Sequence, residues 1–203
     1  MGKHLAYLAK LFFSSAAIDY LISQYGEPQV AYIYCDYRDQ KNQTTVHILG
    51  SFLKQLLSTT LYPVPESIIN ELEAIQKRGK RVESSDVTQM LKSMVSQLNT
   101  CFLCIDAMDE LGPRVRLELL KLLRSEFTVA RIFLTGRPHI QSEVDRTLQV
   151  KFEDTIHFTA DRGDIKAYLN HEIEVDIEIN PDEMNEALKQ EIVEAILSKA
   201  DGM

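Results

Sequence analysis

Asp106, Asp109 and Glu110 close an apolar run that begins at Cys101, giving the stretch CFLCIDAMDE. A short apolar run bounded by polar residues reads as a buried strand, and acids just past its end sit at the sheet edge where α/β proteins bind ligands. The D-x-x-D-E spacing suits hydrolytic chemistry with divided labour: one strand-end carboxylate holds Mg²⁺ through water, and another orients or deprotonates the attacking water. Asp106 fits the first role and Glu110 the second, with Asp109 as its neighbour. Acids after a buried strand also occur in ordinary loops, so a second polar tip is needed to separate the two readings. The run ARIFLT, Ala130 to Thr135, supplies one by delivering Arg137 to the same edge of a parallel sheet, where a guanidinium could contact a terminal phosphate.

These tips need a scaffold, and the periodicity describes one. Leu5, Leu8, Leu11, Phe12, Ala16 and Leu21 recur at helical spacing between Lys3 and Leu21, and Gly26-Glu27-Pro28 stops that helix. Val30 to Tyr34, VAYIY, is β-branched and aromatic, which predicts a strand, followed by a polar loop from Asp36 to Asn42. A second helix from about Thr44 carries Val46, Leu49, Phe52, Leu53 and Leu56, a third runs from Glu66 to about Ile75, and Lys77 to Ser85 reads as an exposed loop. Ser84, Ser85 and Asp86 offer caps for a fourth helix with Val87, Met90, Leu91, Met94, Val95 and Leu98 on one face. After the break at Gly112-Pro113, Val115 to Leu123 predicts a helix, and Thr155 to Phe158 a weaker fourth strand. Asp161 would cap a helix near Asp164, and Pro181 to Lys199 reads as an acidic helix. Alternating strands and helices predict an α/β three-layer sandwich with a mostly parallel sheet. The expected division is a core over 1–160 and the start of an acidic helical subdomain, which stops short, over 161–203.

The 203 residues, 45% hydrophobic and 26% charged, allow one domain with a full core. No run approaches the roughly 18 apolar residues of a membrane span, and no signal-peptide pattern opens the chain, so a cytoplasmic protein with no membrane partner is expected. The formal net charge is -8, and from Lys151 onward five basic residues face fourteen acidic ones. No basic stripe points to nucleic acid. Cys101 and Cys104 form a CxxC, yet residues three apart on a strand face opposite sides, so with Cys35 they read as small buried hydrophobes. His4, His47, His139, His157 and His171 lack metal-ligand spacing. Arg38, between Asp36 and Asp39, reads as part of a local ion-pair loop, and Ser14 and Ser15 as helix hydroxyls. Glu172 to Glu178 alternates acids with Ile173, Val175 and Ile177, either a strand-like partner surface or the solvated edge of the last subdomain.

The apolar run followed by D-x-x-D-E is a Walker B pattern, and the wider succession carries a resemblance. VAYIYCDYRDQ, HILGSFLKQLL, CFLCIDAMDE and ARIFLTGRPHI, in that order, resemble the NACHT-type domain of fungal STAND NTPases and are similar to the nephrocystin-like N-terminal domains found before ankyrin or other repeats. The resemblance runs from about Phe12 to Met203. It implies a P-loop NTPase-like sandwich, ATP or GTP with Mg²⁺, and a nucleotide-controlled assembly switch in signalling, with self-association and C-terminal repeat domains as partners. It makes Asp106 the Mg²⁺ acid, Asp109 and Glu110 the catalytic acids, and Arg137 the sensor arginine.

The front of the chain departs from that pattern. A P-loop needs G-x-x-x-x-G-K-[ST], because glycines let backbone N–H groups wrap the phosphates and the hydroxyl binds Mg²⁺. Aligning Phe12 to Leu21 with the helix after that loop puts Lys10 on the motif lysine, with His4 and Ala9 at the glycines and Leu11 at the hydroxyl position. The strand expected before the loop is absent from the sequence. Either the front is a truncated or wrongly joined segment, or the protein is a degenerate relative. Two functions follow: a fragment of a STAND-type signalling NTPase module that is not nucleotide-competent as given, or a non-catalytic interaction or regulatory α/β scaffold.

Overall fold

The computed structural model describes residues 2–58, 64–79, 82–157, 162–179 and 185–200, with the backbone alone described at 2–13, 152, 172, 175–179, 199 and 200. The chain divides into two compact units, Ser14–Thr155 and Met1–Phe13 with Ile156–Met203.

In the larger unit, strands β1 (Val30–Tyr34), β2 (Phe102–Asp106) and β3 (Arg131–Leu134) form one parallel sheet in the order β1-β2-β3. The register sets Tyr34 beside Asp106 and Leu134 beside Ile105. β2 is buried at all five positions: Phe102 to Ile105 form the continuous apolar run of a central strand covered on both faces, and Asp106 closes it. Helices α2 (Thr45–Ser58), α3 (Glu66–Arg78) and α4 (Ser84–Val95) connect β1 to β2, and α5 (Pro113–Glu126) connects β2 to β3. The expected parallel α/β arrangement with helices on both faces is therefore present.

The two faces have separate cores. Ile18 of α1 (Gly2–Tyr25), with Leu21 and Ile22 beside it, covers Val30, Phe102 and Cys104. On the other face Leu49, Phe52 and Leu56 of α2, Leu91 and Met94 of α4, and Leu119, Leu120 and Leu123 of α5 join Ala31, Leu103 and Ile105. Each such side chain stabilises the fold by about 1.5–3 kcal/mol relative to exposure. Cys101 belongs to the second core and Cys104 to the first, so the CxxC does face two ways. The outer edge of β1 is met by α2: the Gln55 amide accepts from Tyr32 N at 3.0 Å and donates to Tyr32 O at 2.8 Å.

Local boundaries follow the backbone chemistry, with several corrections. Pro113 opens α5 at a position whose N–H has no helical partner, and Gly79 ends α3 in the left-handed region at φ 60. The exposed loop expected from Lys77 begins later, because α3 runs to Arg78. The cap of α4 comes from Glu83 with Asp86 rather than from the serines, each side chain reaching the other's backbone N–H in a capping box. A fourth strand at Thr155 is not formed: 155–157 have no regular structure, and Phe158 lies outside the described residues. One helix went unanticipated, α6 (Gln141–Leu148), which has no fully buried residue to mark its face.

In the smaller unit, α7 (Arg162–Ile179) and α8 (Glu186–Ala200) bury Leu169 and Ile173 against Val193 and Leu197. The alternating acidic stretch is therefore helical and not strand-like. Leu169 and Ile173 are spaced i, i+4, and the partner helix rewards that period over the period of two. Asp161 and Pro181, expected near the starts of these helices, lie outside the described residues. Among the described residues, no helix is long and apolar enough to cross a membrane.

Candidate functional site

Asp106 ends the central strand and is 2% exposed. Its Oδ1 accepts hydrogen bonds from two hydroxyls, Ser14 Oγ on α1 and Thr135 Oγ1 just past β3, the latter at 2.5 Å. Thr135 also accepts from Ala107 N at 2.9 Å, and its carbonyl accepts from Met108 N at 2.9 Å. The two strand ends are thus stitched together at the carboxylate. Ala107, the next residue, turns the chain with φ 55 and ψ 45, a left-handed conformation costly for a residue with a Cβ. That turn starts the short 3₁₀ segment Met108–Glu110, which carries the other two acids.

Arg137 binds both of them. Its backbone N–H donates to Asp109 Oδ1 at 3.1 Å, its Nε lies 3.4 Å from Asp109 Oδ2, and its Nη2 lies 3.0 Å from Glu110 Oε1. The guanidinium side chain is 46% exposed, whereas the Asp109 and Glu110 side chains are 1% and 7% exposed. One cation set against three carboxyl groups leaves this edge short of positive charge, so it suits a cation before an anion. Gly136 permits the close approach: a Cβ there would sit 2.6 Å from Ile140 Cδ1 and 3.8 Å from Asp109 Oδ1, and Ile140 is buried.

Two further residues fix the acidic turn. Gln40 Nε2 donates to the Glu110 carbonyl at 2.6 Å. Arg116, only 9% exposed, donates through Nη1 to the Leu111 carbonyl at 3.1 Å and pairs with Glu143 of α6 at 2.8 Å. Tyr34, beside Asp106 in the register, has its phenol pushed up by burial and by the nearby Tyr32, Asp106 and Asp19, against a hydrogen bond with Ser15.

The structure therefore brings Asp106, Asp109, Glu110 and Arg137 to one edge. Lys10 lies, with His4, Ala9 and Leu11, within the helical span Gly2–Tyr25. Its side chain is outside the described residues. Arg38 forms the local pair expected of it, meeting Asp36 at 2.6 Å and holding that carboxyl below its usual range. Among the described residues, no three His, Cys, Asp or Glu side chains are grouped to hold a metal ion. A cation at Asp106 would draw its other ligands from hydroxyls, water and phosphate, a donor set that suits a hard ion such as Mg²⁺.

Sequence reasoning missed Ser14, Thr135, Gln40 and Arg116. Ser14 reads as a helix hydroxyl, and from that helix it donates to a carboxylate 92 residues away. Thr135 alone left a signal, a hydroxyl at a strand end directly before Gly136-Arg137.

Residues 8–137, well over half of the chain, match the family model described as nephrocystin 3, N-terminal. The chain belongs to the nephrocystin 3 N-terminal family. The matched nephrocystin 3 N-terminal span holds all three strands and all three acids and ends on Arg137. No match was found among curated proteins or among solved structures.

Proposed function

We propose that this chain carries the acid-and-arginine side of a STAND-type signalling NTPase module of the NACHT kind, in which ATP or GTP with Mg²⁺ controls assembly. The supporting observation is the convergence of Asp106, Asp109, Glu110 and Arg137 at the C-terminal edge of a parallel sheet, the edge at which such sheets bind ligands. Asp106 would hold Mg²⁺, whose contribution when bound is to neutralise phosphate charge. Glu110 would orient the attacking water and accept its proton at the carboxylate, beside Asp109, while Arg137 would turn from the acids to a terminal phosphate. Self-association and C-terminal repeat domains are the partners such a switch would use.

The triphosphate is another matter. No G-x-x-x-x-G-K-[ST] loop occurs in the sequence: around Lys10, His4 and Ala9 stand where the glycines of a phosphate cradle would, and Leu11 where its hydroxyl would. We therefore expect no saturable micromolar binding of fluorescent ATP or GTP analogues by the chain as it stands. Such binding, dependent on Mg²⁺ and abolished by Lys10→Ala, would overturn that expectation. Placing a strand and a G-x-x-x-x-G-K-[ST] loop ahead of Phe12 completes the motif and is expected to confer binding. In that variant Asp106→Ala should weaken the Mg²⁺ dependence and Glu110→Gln should trap unhydrolysed nucleotide. If the completed motif still binds nothing, the nucleotide reading falls and the second one stands, a non-catalytic interaction or regulatory scaffold. The internal partners of the acids favour that second reading, since Ser14 and Thr135 hold Asp106 while Arg137 holds the other two.

A further inference from the structure

Helices α5 and α6 enclose an open groove of about 520 Å³ lined by Leu117, Lys121, Arg124, Ser125, Arg146 and Thr147. Three of the six are cations and none is an acid, in a chain whose net charge is -8. Of the carboxylates close by in sequence, Glu143 pairs with Arg116 at 2.8 Å and Glu126 pairs with Lys92 at 3.0 Å, while Glu118 and Asp145 do not line the groove. Among the described residues, Lys121, Arg124 and Arg146 form no ion pair; Arg124 is held only by donating to the Thr147 carbonyl at 3.0 Å. Part of this basic character is explained by the last turns of α5 and α6, whose carbonyl ends attract cations. That effect favours a basic residue at each helix end. It does not call for three cations around one concavity without a carboxylate.

We propose that this groove is a docking site for an acidic peptide segment of a protein partner. The volume lies within the range of ligand clefts and is far larger than one phosphate, and Leu117 offers an apolar contact between the charges. Three cations on two helices suit carboxylates spread along a chain. Extended nucleic acid is disfavoured, because its affinity grows with the number of phosphates neutralised and this groove supplies only three cations. The groove uses none of the acids or the arginine of the sheet edge, so the proposal is independent of nucleotide binding.

The test is fluorescence anisotropy on the intact chain with a short labelled peptide in which glutamates flank a leucine. Competitors are inorganic phosphate, the same peptide with lysine for glutamate, and a single-stranded oligonucleotide. We expect saturable peptide binding that weakens at least tenfold in Lys121→Glu/Arg146→Glu and falls as salt is raised, with the circular dichroism and melting curve of the variant unchanged. Arg124 is left in place because it holds α6. Lys121→Arg/Arg146→Lys, which keeps both charges, should bind within a factor of about three of the parent. Equal binding by the charge-reversed chain, no binding even at low salt, or tighter binding of phosphate or the oligonucleotide would each overturn the proposal.

Discussion

A carboxylate as buried as Asp106 is tolerable only where donors replace the water it has lost, and the hydroxyls of Ser14 and Thr135 do so. Hydrogen bonds to a charged group contribute about 1.5–3 kcal/mol each, enough to make two short polar side chains a condition of keeping the acid. The opposite logic governs Cys101 and Cys104, which have no charged partner and are pushed up to about 12 by burial. Their unfolded thiols ionise near 9, so folding favours the protonated form. The contribution is fully present below about 9 and is lost as pH rises through about 12. We expect the melting temperature to fall more steeply between pH 8.5 and 11 in the parent than in Cys101→Ala/Cys104→Ala, measured by thermal melts across that range. Parallel slopes would remove the cysteines from the account.

The acidic turn after β2 is held to its neighbours by elements that a local reading cannot connect. Arg116 ties the Leu111 carbonyl to Glu143, joining the loop beyond Glu110, the start of α5 and α6. Arg116→Ala would leave a partly buried carboxylate and a carbonyl without their donor. We expect it to cost about 2–3 kcal/mol in urea unfolding, below the figure for a fully buried pair because Glu143 keeps some access to water. Arg116→Lys restores the charge without the two-pronged geometry and should recover only part of that loss. An unchanged midpoint would show that the clamp contributes nothing. The strands and the amphipathic helices were legible because each buries a face whose period is written locally: β2 as a continuous apolar run, α2 and α4 as residues three and four apart. The tips of β2 and β3 were legible for the same reason, since a parallel sheet puts Asp106 and Arg137 at one edge. Ser14, Gln40 and Arg116 were not, because each acts through a pairing across many residues that leaves no period. The acidic end of α7 left two readings open for the converse reason, its alternation matching a strand while its partner helix selected residues four apart.

At the scale of the molecule, charge and backbone valence are both unevenly distributed. The acids accumulate after Lys151, while in the larger unit Lys121, Arg124 and Arg146 gather at the groove between α5 and α6. Its three-stranded sheet has β1 on one flank, where exposed Tyr32 and Tyr34 would otherwise accompany main-chain groups open to pairing. Gln55 presents to Tyr32 the same acceptor and donor that a neighbouring strand would, and Gln43 accepts from Asp36 N at 3.1 Å further along. Gln55→Ala should therefore raise self-association of the chain, seen as a concentration-dependent shift in sedimentation velocity, while Gln55→Glu, which keeps the acceptor but loses the donor, should fall between the two. A monomeric Gln55→Ala at every concentration would count against this. Polymer chemistry has a name for a unit that matches the growing end yet offers no continuation: Gln55 is a chain terminator, and through it the sheet stops at β1 by side-chain chemistry.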